Sequence, residues 1–283
     1  MEYKKIGIVG AGTMGRGIAA DLLFHGMSCI LVDISNDVLE RAKAEIIRII
    51  RFAPLANASL PKLNAEDAIS RIKFTTNIEE ISDAEFIIEN IPEKWDMKET
   101  VYRELSKVCK SEVNFAVNTS CISVTKVASV TDRPDKVIGI HFMNPSYLKN
   151  CVEVIRGYHT SEECIDNVKA LLGQLNKDVV LVNDYPGFVT NRISHLFMNE
   201  AAFVVQDGVA KPAEVDEIFK KCYGHKMGPL ETADLIGLDT VANSLDILYE
   251  SYQDPKFRCC PLLRKMVDAN LLGRKTGKGF YQY

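Results

Sequence analysis

Lys5-Ile-Gly-Ile-Val-Gly10-Ala-Gly12-Thr-Met-Gly15-Arg-Gly-Ile-Ala19 places three spaced glycines between an apolar run and a longer, mixed stretch. The run 6–9 reads as a buried strand and 13–25 as an amphipathic helix, so the glycines make a strand-to-helix turn. Gly10 permits the tight turn, Gly12 leaves room for backbone to approach a pyrophosphate, and Gly15 lets helix pack on strand. Thr13 and Met14 complete the turn, where the positive helix N-terminus meets the phosphates. Asp33 closes the next apolar run, 18 residues after Gly15. A carboxylate there accepts hydrogen bonds from ribose hydroxyls and repels a 2′-phosphate. Ile34 and Ser35 follow it with no adjacent arginine, so the expected cofactor is NAD rather than NADP.

Working outward, apolar runs at 29–32, 86–88, 115–117, 137–140 and 179–182 alternate with helical patterns. Such alternation predicts an α/β fold, a Rossmann-type, doubly wound and mostly parallel sheet wrapped by helices. Between the second and third strands lies a helical insertion near 36–72: a helix over 36–51, then 52–63, where Pro54 and Pro61 are expected to break it. This insertion is a candidate clamp or lid. At Asn183-Asp-Tyr-Pro-Gly187 the pattern changes, and helical periodicity follows over 188–206, 212–222, 229–251 and 262–269. The expected domains are 1–185, binding the dinucleotide, and 186–283, a smaller all-helical domain.

Composition narrows the function. Of 283 residues 47% are hydrophobic and 25% charged, the balance of a globular protein with enough apolar residues for two cores. The net charge is −4 and the 34 basic residues are scattered, which argues against nucleic acid as a partner. Eight cysteines form no CxxC pair and no secreted framework, so they read as reduced thiols of a cytoplasmic protein. No apolar run approaches the roughly 18 residues of a membrane span. The histidines show no metal-ligand spacing, and no metal is expected.

His141-Phe-Met-Asn-Pro145 follows the predicted strand at 137–140, at an edge where open α/β sheets place ligand-facing groups. By position alone, His141 fits a catalytic group or a structural strand cap. Glu153 stands between valines in Cys151-Val-Glu-Val-Ile155, where a solvated charge is out of place and a buried one needs a partner.

The chain resembles the 3-hydroxyacyl-CoA dehydrogenase family over essentially its whole length. The motifs that carry the resemblance are GAGTMGRGIA at 10–19, NTSCIS at 118–123, HFMNP at 141–145, VEVIRG at 152–157, PGFVTNR at 186–192, MGPLETADLIGLD at 227–239 and LGRKTGKGFYQY at 272–283. The resemblance implies that His141 is the general base for a substrate 3-hydroxyl while hydride passes to the nicotinamide, with Glu153 orienting the imidazole. It implies that Ser120 and Asn191 bind the reacting hydroxyl and the thioester carbonyl. For the cofactor it points to Glu93 and Lys98 near the nicotinamide ribose and to Asn118 near the nicotinamide; simple surface charges are the competing reading of Glu93 and Lys98. It also implies a homodimer formed through the helical domain.

Two departures from the family bear on the substrate. Where fatty-acid-oxidising members carry a lysine-rich segment that meets coenzyme A phosphates, this chain has Ile49-Ile-Arg-Phe-Ala-Pro-Leu-Ala56. Where the family has a Pro-Val-Met-Lys-Leu type of segment beside the acyl group, it has Ser146-Tyr-Leu-Lys-Asn-Cys151. These favour a short, polar acyl group on coenzyme A or on an acyl carrier protein, such as the glyceryl groups of polyketide extender-unit pathways. The alternative is an ordinary short-chain (S)-3-hydroxyacyl-CoA dehydrogenase acting on 3-hydroxybutyryl-CoA. A sugar-acid dehydrogenase and a non-catalytic NAD-binding protein are weaker readings, the latter because it gives no reason to keep Ser120, His141, Glu153 and Asn191 together.

Overall fold

Short runs rich in Ile, Val and Phe become strands because both of their faces are covered, which removes the polar alternation of a half-exposed strand. The computed structural model describes residues 2–283. Its strands are β1 (Lys5–Val9), β2 (Ser28–Val32), β3 (Ile72–Thr75), β4 (Phe86–Glu89), β5 (Asn114–Asn118), β6 (Val137–Phe142), β7 (Cys151–Arg156) and β8 (Asp178–Asn183). The helices among them are α1 (Thr13–Phe24), α2 (Asn36–Ala56), α3 (Ala65–Ile69), α4 (Trp95–Val108), α5 (Val124–Ala128) and α6 (Glu162–Gln174). Together they form one compact unit that ends at Tyr185.

All eight strands join one sheet in the order β3-β2-β1-β4-β5-β6-β7-β8. Every neighbouring pair is parallel except β6 and β7, which run antiparallel. The order reverses between β1 and β4, and this opens a crevice beyond the carboxyl ends of those strands. Ile6, Ile8, Phe86, Ile88, Ile138 and Ile140 share one core with α1, α2 and α6, and most of them are fully buried. On the other sheet face Tyr102 of α4 packs on Phe115 of β5.

Four local expectations need correction. The break at Pro54 does not occur: α2 runs through it to Ala56. Pro54 sits in the last turn, where only the Ile50 carbonyl is deprived of an N–H donor, and the Asn57 amide closes the helix onto Ala53 at 3.0 Å. His141 lies inside β6 rather than beyond it, because the strand stays buried to Phe142. Strands β3 and β7 escaped the apolar pattern: β3 is a short edge strand with one buried residue, and Glu153 interrupts the apolar run of β7. The helix expected over 229–251 is two helices, because Gly237, at φ +106°, turns the chain out of the helical region.

The second unit, Pro186–Tyr283, is all helical: α7 (Thr190–Gln206), α8 (Pro212–Tyr223), α9 (Pro229–Ile236), α10 (Leu238–Tyr252) and α11 (Pro261–Asp268). Its core gathers Met198, Ala202, Leu230, Leu238, Leu245 and Leu263. Buried Asp216 accepts the Leu230 and Glu231 amides and the Tyr281 hydroxyl, and buried Asp234 accepts the Phe280 and Tyr281 amides. These two carboxylates tie the Met-Gly-Pro-Leu-Glu turn and the C-terminal segment to the helices, a structural duty for both motifs. No helix among the described residues is long and apolar enough to cross a membrane.

Candidate active site

Antiparallel pairing sets His141 of β6 directly opposite Glu153 of β7, so the two side chains share a sheet face. His141 Nδ1 lies 3.0 Å from Glu153 Oε2, and both residues are buried. An ionised carboxylate only accepts, so Nδ1 carries the proton and Nε2 presents its lone pair in the neutral ring. Nε2 lies 3.2 Å from Ser120 Oγ, which donates to it in that tautomer. Ser120 stands two residues beyond β5, the parallel neighbour of β6. Three adjacent strands therefore deliver hydroxyl, imidazole and carboxylate in one line.

The turn carrying Ser120 is held from beneath by Glu93. Its Oε1 accepts the backbone amides of Ser120, Cys121 and Ile122 at 3.0, 2.8 and 3.1 Å, and also the Thr119 hydroxyl. Glu93 is thus no mere surface charge. Nor is Lys98: it is fully buried on α4, with Nζ 2.8 Å from both carboxylate oxygens of equally buried Glu89 and 3.8 Å from Glu93. Burial pushes the Glu89 carboxyl above its ordinary range, and the Lys98 ammonium pulls against that. Asn118, at the end of β5, donates from Nδ2 to Asn90 Oδ1 at 2.6 Å.

At the crevice between β1 and β4, Gly10 has φ +95°, and a Cβ there would sit 2.7 Å from the Asn90 carbonyl. At Gly15 a Cβ would stand 1.9 Å from the Gly10 carbonyl, whereas one at Gly12 would meet nothing within 4 Å. Gly12 is also the N-cap of α1, where no side chain caps the helix and no acid occupies the first turn that Thr13 and Met14 begin. By contrast α2, α3, α5 and α6 are capped by Ser35, Asn64, Ser123 and Ser161. The uncapped amides of α1 and the open space over Gly12 suit a pyrophosphate. Asp33 Oδ2 accepts the Ala11 amide at 2.8 Å, which fixes the carboxylate beside the turn. The residues present therefore fit a dinucleotide.

Asn191 belongs to the other unit. It is buried in the first turn of α7, and its backbone carbonyl accepts from His195 Nδ1 at 2.9 Å. The sequence reading missed Glu89, Asn90 and Thr119. Glu89 ends an apolar strand, and that position was the available signal, since a carboxylate there needs a buried cation.

Residues 5–185 match the family described as 3-hydroxyacyl-CoA dehydrogenase, NAD binding domain, and residues 187–283 match its C-terminal domain. Among curated relatives, the 3-hydroxybutyryl-CoA dehydrogenase of Bradyrhizobium diazoefficiens is 40% identical over 284 residues, covering 99% of this chain and 95% of its own. The enzyme of the same name from Clostridioides difficile is 40% identical over 279 residues, covering 99% of each. Among solved structures, (S)-3-hydroxybutyryl-CoA dehydrogenase from Ralstonia eutropha superposes with a TM-score of 0.93 at 40% identity, covering 100% of this chain and 99% of that one.

Proposed function

Because this chain belongs to the 3-hydroxyacyl-CoA dehydrogenase family of NAD-dependent oxidoreductases, we propose that it interconverts a short-chain (S)-3-hydroxyacyl-CoA, with 3-hydroxybutyryl-CoA as reference substrate, and the 3-oxoacyl thioester. The observation that supports this reading is the chain from Ser120 through His141 to Glu153. In oxidation His141 Nε2 takes the proton of the substrate 3-hydroxyl, and in reduction it returns it. Glu153 holds the ring with Nε2 outward and stabilises the imidazolium that forms. Ser120, whose turn Glu93 locks, orients the reacting oxygen by hydrogen bond. NAD, when bound, supplies the hydride acceptor. Gly10, Gly12, Thr13, Met14 and Gly15 would hold its pyrophosphate and Asp33 its adenosine ribose, with Glu93, Lys98 and Asn118 shaping the nicotinamide end.

The names of relatives that match end to end favour 3-hydroxybutyryl-CoA over the carrier-bound glyceryl group, which rests only on the two departures from the family pattern. Phe52 and Leu55, in the segment that replaces the lysine cluster, stand 59% and 78% exposed beside exposed Arg48 and Arg51 on α2. The altered segment therefore adds apolar surface at Phe52 and Leu55, while its Ile49, Ile50 and Ala53 join the core. A homodimer through the helical unit accords with apolar side chains left on its surface, among them Ile193, Ile218 and Leu235. A cytoplasmic setting accords with eight free thiols.

NADH formation from a panel of 3-hydroxyacyl groups, each offered on coenzyme A and on acyl carrier protein, tests the proposal. Faster turnover of 3-hydroxybutyryl-CoA than of carrier-bound glyceryl is expected. The opposite order overturns the substrate assignment and reinstates the carrier reading.

A further inference from the structure

The segment joining the two strands that carry His141 and Glu153 contains a short 3-10 turn, Ser146–Leu148. That turn lies directly on α1: a Cβ on Gly17 would come within 2.8 Å of Ser146 Oγ, and Tyr147 packs against the core that α1 shares. The ammonium of Lys177, just ahead of β8, secures the turn from beneath. It donates to the Ser146 carbonyl at 2.8 Å and to the Lys149 carbonyl at 3.0 Å. Its third neighbour is Asp21 of α1, with Nζ to Oδ2 at 2.8 Å. Asp21 is fully buried and the Lys177 side chain 3% exposed, so this pair is withdrawn from solvent. Next to it the Asp178 amide donates to the Asn150 carbonyl at 2.6 Å, closing the far end of the segment.

A buried ion pair is a poor source of stability, since apolar residues of similar volume often serve as well or better. This one has a geometric product instead: two carbonyls of an irregular segment are fixed relative to the helix that starts at the dinucleotide turn. Asp21 holds the lysine in place, and Lys177 holds the turn in place. We infer that Lys177 and Asp21 are positioning residues for the acyl thioester, setting the 146–149 segment against α1 so that the acyl group meets His141 in register. The inference rests on the thioester reading of the site proposed above.

The test compares wild type with Asp21→Asn/Lys177→Met, which removes both charges and the donors to the carbonyls, and with Asp21→Asn/Lys177→Gln, which keeps an N–H donor for them. The thioester used is the one the wild type oxidises fastest. For the methionine variant, amide exchange over 147–150 is expected to speed up by about tenfold or more. Its KM for the thioester should rise about fivefold or more while NAD affinity stays within about twofold, as expected of a displaced positioning wall. The glutamine variant should recover part of both effects, and it carries the same comparison with wild type if the methionine variant does not fold. Unchanged exchange, or faster exchange with an unchanged KM, overturns the inference. A wild type that turns over no thioester refutes the substrate reading instead, and the inference falls with it.

Discussion

His141 is placed between a carboxylate that can only accept and a hydroxyl that can donate, and this fixes its tautomer without reference to any ligand. Replacing His141 by Ala should lower turnover by about 10²–10⁴, as loss of a general base does, while leaving NAD affinity unchanged. Steady-state kinetics beside a titration of NAD fluorescence quenching checks both parts, and undiminished turnover refutes the assigned base. Asp33 is fixed by the Ala11 amide at the mouth of the glycine turn. Asp33→Ser combined with Ile34→Arg should cut the preference for NAD over NADP by roughly 10–100-fold, since a hydrogen bond to a charged group is worth about 1.5–3 kcal/mol. The ratio of kcat/KM for the two cofactors reports it, and an unaltered ratio refutes the role.

Among elements, the turn into α1 separates two kinds of glycine. A Cβ on Gly15 collides with the Gly10 carbonyl, so Gly15→Ala should destabilise the fold by about 1–3 kcal/mol, the cost of overpacking. Gly12 faces open space, so Gly12→Ala should leave Tm nearly unchanged and weaken NAD binding by about tenfold or more, some 1.4 kcal/mol. Thermal melts and NAD titrations of the two variants separate these effects. At the other end of α1, His25 lies 3.4 Å from Asp21 Oδ1, and Asp21 raises the imidazole above its ordinary value of 6.5, with burial and, less strongly, Lys177 opposing. A raised folded-state value means that the contribution of His25 is full below the unfolded value and is lost as pH rises through the folded one. His25→Asn should therefore lower Tm by roughly 1–3 °C near pH 5.5 and by less near pH 8.5, read as the difference from wild type at each pH. Equal differences at both values would refute the coupling.

For the molecule as a whole, the reversal of strand order between β1 and β4 puts the cofactor turn beside the ends of β4 and β5, while the antiparallel entry of β7 supplies Glu153. The helical unit uses Asp216 and Asp234 as hubs for backbone amides and leaves Ile193 63% exposed. Sedimentation equilibrium should give twice the chain mass. Ile193→Asp should shift the population toward monomer by about tenfold or more in dissociation constant, the cost of a charge in an apolar contact. A monomeric wild type would overturn the dimer.

Read as sequence, the glycine turn, Asp33 and the alternation of apolar runs with helices already specify an NAD-binding α/β fold, because each depends on neighbours within a few residues and on backbone conformations few residues allow. Pro54, by contrast, signals a break that its place in the last turn of α2 makes harmless, and Gly237 ends a helix that periodicity alone continues. His141 and Glu153 stand out by type and setting, but their pairing comes from antiparallel register, which a strand interrupted by its own glutamate conceals. The Glu93 clasp on the Ser120 turn, the Glu89–Lys98 pair and the Asp21–Lys177 pair belong to the tertiary structure alone. Their members lie up to 156 residues apart, and only burial turns ordinary charges into partners, because a charge withdrawn from water has to be matched.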